Sequence, residues 1–287
     1  MASTVQYPGR DSSVGDAGKQ EPAKGGGRTK GRTKGRLRLG WLGAFAAIFF
    51  VFSLIQLELD YGRLFTGAEK LAKTASLMFP PDPSQWRHVL AAAVESIQVA
   101  ILGTVLAIAL AFFLAFLAAS NITPHPVVAG VVRGAASLLR AIPTLIWALI
   151  FIVAVGMGPL PGVLAIMVGA TGSLVKVFAQ SLEEVDDGVI EALRSTGASW
   201  LQIVMQGVLP CALSALLAWC VMRFEGDLAE STILGAVGAG GIGFELSHAM
   251  RSYKFDQALF VGIVIFAMVF SVEIISNRLK LKMRRRS

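Results

Sequence analysis

Arg223, Asp227 and Glu230 follow one another at spacings of four and three, which places them on one face of a helix, with Glu225 pointing elsewhere. Ionisable groups among apolar residues line pathways in membrane helices. They also close on one another as local ion pairs worth only tenths of a kcal/mol. Both readings stand at this point for the three residues. A second motif, Gly238-Ala-Gly240-Gly241-Ile-Gly243, fits G-x-G-x-x-G. As a dinucleotide fingerprint it needs a strand before it, a helix after it and an acid about 20 residues on. Here it lies between two apolar blocks, so the glycines read as a tight helix crossing or a re-entrant bend. No G-x-x-x-x-G-K-[ST] loop is present, so nothing cradles an ATP γ-phosphate. His88, His125 and His248 have no metal-ligand spacing around them. Cys211 and Cys220 fall on opposite sides of a helix and read as small apolar fillers. No catalytic residue and no metal site are expected.

The elements that position these residues are apolar. Of 287 residues, 54% are hydrophobic and 16% charged, with a mean hydropathy of +0.64; a soluble domain runs nearer a quarter charged. Long apolar blocks reach the roughly 20 residues that a bilayer crossing needs. Residues 1–38 are polar, basic and rich in glycine, and are expected to be a disordered cytoplasmic tail. Residues 39–92 hold a first span to about Leu57, then a polar stretch. That stretch has an amphipathic piece, Leu64 to Leu77, suited to the membrane surface, and the breaker Pro80-Pro81-Asp82-Pro83. Residues 93–276 form the core. Its spans are expected at about Ala93–Ala119, Gly134–Val155, Val163–Gln180, Leu209–Leu228 and Ala258–Ile275. Gly156-Met-Gly-Pro-Leu-Pro-Gly162 divides the charge-free run from Ala141 to Val175. Residues 277–287 are a basic tail.

Charge sets the topology. With both ends inside and six spans, nineteen of the 26 Lys and Arg fall on the inside, as the positive-inside rule requires. Lys176 and Arg194 are counted in one inside loop. The net charge of +7 therefore reads as membrane anchoring beside anionic lipid, not as nucleic-acid binding.

The loop 181–207 is the most informative segment. Acids at Glu183, Glu184, Asp186 and Asp187 suit a helix start. Val189 to Thr196 makes a short helix with one apolar side, Gly197 breaks it, Ser199 caps a second, and Pro210 fits the first turn of the next span. The product is a helix–turn–helix on the cytoplasmic surface, joined to the fifth span.

Its spacing, Glu191-Ala-Leu-Arg-Ser-Thr-Gly197, nine residues, then Gly207-Val-Leu-Pro210, resembles the EAA loop of binding-protein-dependent ABC importer permeases. Leu193 stands for the second alanine of that pattern and Gly207 for its isoleucine. Arg140-Ala-Ile-Pro143, Trp147-Ala-Leu-Ile150, Glu184-Val-Asp186, Glu191 to Ala198, Arg223-Phe-Glu225 and Gly238 to Gly243 resemble the phosphonate-type permease subunit, over about Gln98 to Ala258. The methionine-type permease shares the glycine-rich stretch. One departure follows Phe224-Glu225: the family's Asn-x-Arg is replaced by Asp227-Leu228-Ala229, then Glu230. An acid suits a zwitterion, such as an aminoalkylphosphonate, better than simple phosphate.

The resemblance implies an all-α permease bundle of about six spans in a bacterial inner membrane, with both termini cytoplasmic. It implies transport of phosphonates, phosphite or phosphate. It also implies a homodimer with two ATP-binding cassette subunits, which hold ATP and Mg, and one extracytoplasmic binding protein. Glu191, Ala192, Arg194, Gly197 and Ala198 would couple to the ATPase. Arg223, Glu225, Asp227, Glu230, Ser231, Gly238, Gly240 and Gly241 would line the substrate pathway. The alternatives are a methionine-type permease and an ion-coupled secondary carrier, which would need charged groups near mid-membrane and repeat symmetry.

Overall fold

The computed structural model describes residues 30–57, 61–123 and 125–284. The chain divides into a unit ending at Gly67 and a larger unit from Ala68 onward. In the first, α1 (Lys30–Gln56) carries the apolar run Gly43–Gln56, with Phe45 and Phe49 stacked at 6.5 Å. Residues 1–29 of the expected basic tail lie outside the described residues; the helix already begins at Lys30. The amphipathic piece is helix α2 (Tyr61–Met78).

The larger unit contains α3 (Trp86–Ala118), α4 (Pro126–Ala141), α5 (Thr144–Val155), α6 (Pro159–Glu183), α7 (Asp187–Ser195), α8 (Trp200–Gln202), a π-helical segment (Ile203–Val208), α9 (Leu209–Ala236), α10 (Ile242–Arg251) and α11 (Phe255–Arg284). Among the described residues, four helical runs are long and apolar enough to cross a membrane. They are α3, α6, the continuous run Trp200–Ala236, and α11. The pair α4 and α5 passes the test as one bent span.

Helix α6 is the axis of the bundle, packed by α3, α4, α5 and α9. Lipid tails offer helices no hydrophobic drive, so close backbone approach carries the packing. The α3 face toward α6 is built from small residues, among them Ala107, Ala111 and Ala115, all buried. At Gly103 the fit is tightest: a Cβ there would lie 2.7 Å from Ile166 Cβ. A second cluster joins α3, α9, α10 and α11 through Leu228, Ile242, Val261 and Met268.

The third expected span, Gly134–Val155, is not one straight helix. It breaks at Ile142-Pro143, and α4 and α5 bend by 84°. Pro143 has no N–H to give and forces Ile142 out of the helical region, to φ −90° and ψ 120°. The break expected at Gly156 to Gly162 is present, between Val155 and Pro159. Around Pro210 the helix does not restart; it runs from Trp200 through a π-helical turn. The wider turn accommodates a proline ring that would clash with the carbonyl one turn earlier.

Candidate functional site

The sequence-predicted residues gather in three places. The first is the surface around α7. Asp186 caps the helix, accepting from Gly188 N at 2.8 Å. Asp187 sits in its first turn and Arg194 in its last, matching the helix dipole. Gly197 turns the chain at φ +80°, a conformation that favours glycine. Ser199 and Gln202 then form a reciprocal capping box. Ile190 faces inward, whereas Glu191, Ala192, Arg194 and Gly197 are exposed and Ala198 is half-buried. The result is a rigid protrusion with its polar side outward.

Residues not given this role from the sequence anchor the protrusion, and Glu183, expected at a helix start, instead ends α6 because that helix runs on past its apolar stretch. Trp200 Nε1 donates to Ile122 O at 2.6 Å. Glu183, at the end of α6, accepts from Ser120 N and Oγ at 2.6 and 2.5 Å and from Arg133. Asn121 Nδ2 donates to Leu182 O at 2.8 Å. Nothing local to Asn121 or Ile122 announces partners more than 60 positions away.

The second place is a cavity of about 340 Å³ at the break between α4 and α5, walled also by α6 and α9. Arg140, Thr144, Ser173, Arg223 and Glu230 are its polar lining. The sharp turn at Pro143 opens the N-terminus of α5 here without a side-chain cap. A helix N-terminus carries unsatisfied N–H groups and partial positive charge. Arg140 is in the last turn of α4 and has no carboxylate within 4.0 Å among the described residues. Arg223 contacts Asp227 Oδ1 at 2.5 Å and Glu230 Oε2 at 3.3 Å. The combination favours a small anion, with one carboxylate, Glu230, beside it.

Helical spacing correctly joined Arg223, Asp227 and Glu230, but they do not do the same work. Asp227 is fully buried and accepts from Thr104 Oγ1 on α3 at 2.7 Å. Its Oδ2 takes the Thr104 bond, its Oδ1 lies against the Arg223 guanidinium, and the residue does not line the cavity. Glu225 points to α11, pairing with Lys280 at 2.6 Å. Ser231 is buried, and its hydroxyl donates to Leu228 O at 2.7 Å.

The third place is a cavity of about 500 Å³ at the opposite end of α9 from α7, where Gly238, Gly240 and Gly241 lie with His88, Glu95 and Glu245. His88 Nε2 sits 3.1 Å from Glu245 Oε1. The glycines make a reversal into α10: Gly241 has φ +74°, and Ile242 N donates to Ser96 Oγ at 3.0 Å. A side chain at Gly240 would press on Glu95. No Lys or Arg lines this cavity, so its chemistry differs from that of the central one.

Residues 107–285 match the family described as binding-protein-dependent transport system inner membrane component. The chain is 36% identical over 248 residues to the phosphite transport system permease protein PtxC of Stutzerimonas stutzeri, covering 84% of this chain and 90% of that one. It is 39% identical over 213 residues to the phosphate-import permease protein PhnE of Mycolicibacterium smegmatis, covering 74% of this chain and 40% of that relative. Among solved structures, the MetNI methionine ABC transporter in an inward-facing conformation superposes with a TM-score of 0.62 at 21% identity, over 70% of this chain and 98% of that chain. At that identity the likeness concerns the fold.

Proposed function

The chain belongs to the family of binding-protein-dependent transport system inner membrane components, and from that premise we propose that it is the permease of an ATP-driven importer of phosphorus oxyanions. It is a multi-pass inner-membrane protein. The observation that carries the substrate class is the central cavity. Arg140, Arg223 and the uncapped start of α5 meet there around about 340 Å³. Half-helix N-termini at broken spans are where membrane carriers hold anionic groups. The named relatives transport phosphite and phosphate, which agrees with that chemistry. Phosphonates share the same tetrahedral headgroup.

The mechanism follows from the separation of the two sites. The α7 protrusion is built to be gripped: polar outside, apolar inside, and tied by Trp200 and Glu183 to the ends of α3 and α6. We place it on the cytoplasmic side, with both termini, against a separate ATPase subunit. ATP and Mg belong to that partner. Closure of two such subunits draws the protrusions of two permease copies together. The rigid run Trp200–Ala236 carries the motion directly to Arg223 and Glu230. The far end, with its glycine reversal, receives substrate from a binding protein. An importer needs only weak holding at mid-path, and a guanidinium shared with two carboxylates holds an anion weakly.

The test is uptake of labelled phosphite by vesicles containing the permease and its ATPase, supplied with the binding protein. Uptake should require ATP and be competed by methylphosphonate, aminoethylphosphonate and phosphate, and not by methionine. Competition by methionine would move the chain to the methionine type. Uptake that survives without ATP and follows an ion gradient would make it a secondary carrier.

A further inference from the structure

Lys176 lies within the span Pro159–Glu183, two turns before its end. It has no carboxylate within 4.0 Å among the described residues. A lone ammonium in a membrane helix is costly unless it faces water or a pathway. It lines a separate cavity of about 200 Å³ between α4 and α6, with Arg133, Ser137, Gln180 and, paired with Arg133, Glu183.

The two cavities on these helices are in register. On α4, Arg133, Ser137 and Arg140 follow at spacings of four and three; on α6, Ser173, Lys176 and Gln180 follow at three and four. Each set shares one helix face. Arg140 and Ser173 line the central cavity, and the other four line the second. The helices are clamped beside this stripe, because a Cβ on Gly172 would lie 2.7 Å from Ala136 O and 2.8 Å from Arg140 N. Ser137, Lys176 and Gln180 are exposed in the single chain. The lower end of the stripe reaches Arg133 and Glu183, beside the anchor of the α7 protrusion.

We propose that this stripe is the release track by which the oxyanion leaves the central cavity, with Lys176 as its cationic station. The proposal rests on the phosphorus-oxyanion reading above. Arg140 at the top lies beside Gly172, and Lys176 follows about one helical turn below Gly172. A dianion therefore moves between two cations, with Ser137 and Gln180 offering hydrogen bonds in place of lost water.

The same ammonium could instead hold the phosphate of a lipid headgroup, and the experiment separates the two sources. Phosphite uptake is measured for the complete complex with wild type, K176R, K176Q, K176E and Q180E permease. Each is reconstituted in phosphatidylcholine vesicles, with and without phosphatidylglycerol. K176R should keep more than about half of the wild-type rate, K176Q should fall about tenfold, and K176E further. Q180E, one turn below, should also slow uptake in both lipids. K176Q importing at the wild-type rate would overturn the track, as would equal losses in K176Q and K176R, which mark a packing role. A K176Q loss confined to phosphatidylglycerol vesicles would assign Lys176 to lipid and also overturn it. A wild type that imports a different solute, and not phosphite, would refute the substrate class itself, and the track with it.

Discussion

Leu193 on α7 fills the space that a side chain at Gly207 would occupy: a Cβ on Gly207 would lie 2.5 Å from Leu193 Cδ1 and 3.4 Å from Val189 Cγ1. The two departures from the resembling loop pattern are thus one exchange. Volume absent from the second helix appears on the first. Gly207→Ile alone should cost about 1–3 kcal/mol through overpacking. Leu193→Ala alone should cost about 1–2 kcal/mol, below the range of a fully buried leucine. The double variant should recover most of the loss, because the residues touch and their effects are not additive. Thermal unfolding of the purified complex reads the coupling; simple additivity would show that the two positions do not compensate.

Glu230 and Asp227 should separate by substrate. Only Glu230 faces the central cavity, so Glu230→Gln should reduce aminoethylphosphonate uptake more than methylphosphonate uptake, by a factor of about ten for one lost ion pair in a partly desolvated site. Asp227→Asn should lower stability and slow both substrates alike, since it disturbs the Thr104 bond and the Arg223 pair. Equal effects of Glu230→Gln on the two substrates would remove the ammonium from the account.

Gly241 pins the reversal between α9 and α10 at φ +74°, against Ser96. Gly241→Ala meets both backbone strain and a hydroxyl with nowhere to go. It should destabilise by about 1–3 kcal/mol. A Ser96→Ala background should relieve the steric part and leave the strain, a difference visible in unfolding midpoints.

Asp82 provides a pH test outside the spans. Its carboxylate accepts from Ser84 Oγ at 2.7 Å, from Ser84 N at 2.9 Å and from Gln257 Nε2 at 3.1 Å. The Ser84 side-chain bond first, then its backbone bond, holds the pKa below the usual 3.8. A lowered folded pKa adds stability above the unfolded value and loses it as pH falls through the folded one. The tie between residues 82–84 and the start of α11 should therefore hold at neutral pH and loosen only below about pH 4. Hydrogen exchange at Ser84 should show that transition in wild type and lose it in Asp82→Asn.

How much of this was legible in the sequence depended on whether the signal was local. The break before Pro159 could be read because Gly156, Gly158, Pro159 and Pro161 cluster. The sharper break at Pro143 was missed, because one proline in an unbroken apolar run barely changes hydropathy, although its chemistry forbids a straight helix. The α7 protrusion was legible from Asp186, Gly197 and Ser199, since capping works over three or four residues. Lys176 counts as inside charge although the expected span Val163–Gln180 already contains it, because a charge tally alone does not show that its helix runs on to Glu183. The Thr104–Asp227 bond spans 123 positions, and nothing near either residue announces the other. For the same reason, the division of Arg223, Asp227, Glu225 and Ser231 among different partners needed the packed bundle.

The most direct test of the central cavity is Arg140, the guanidinium there without a carboxylate beside it. Phosphite uptake by the reconstituted complex is measured for wild type, Arg140→Lys and Arg140→Gln, with co-purification of the ATPase confirming assembly. Arg140→Gln should lower the uptake rate about tenfold or more and Arg140→Lys less. An assembled Arg140→Gln complex that imports phosphite at the wild-type rate would contradict the account, because the anion would then cross elsewhere.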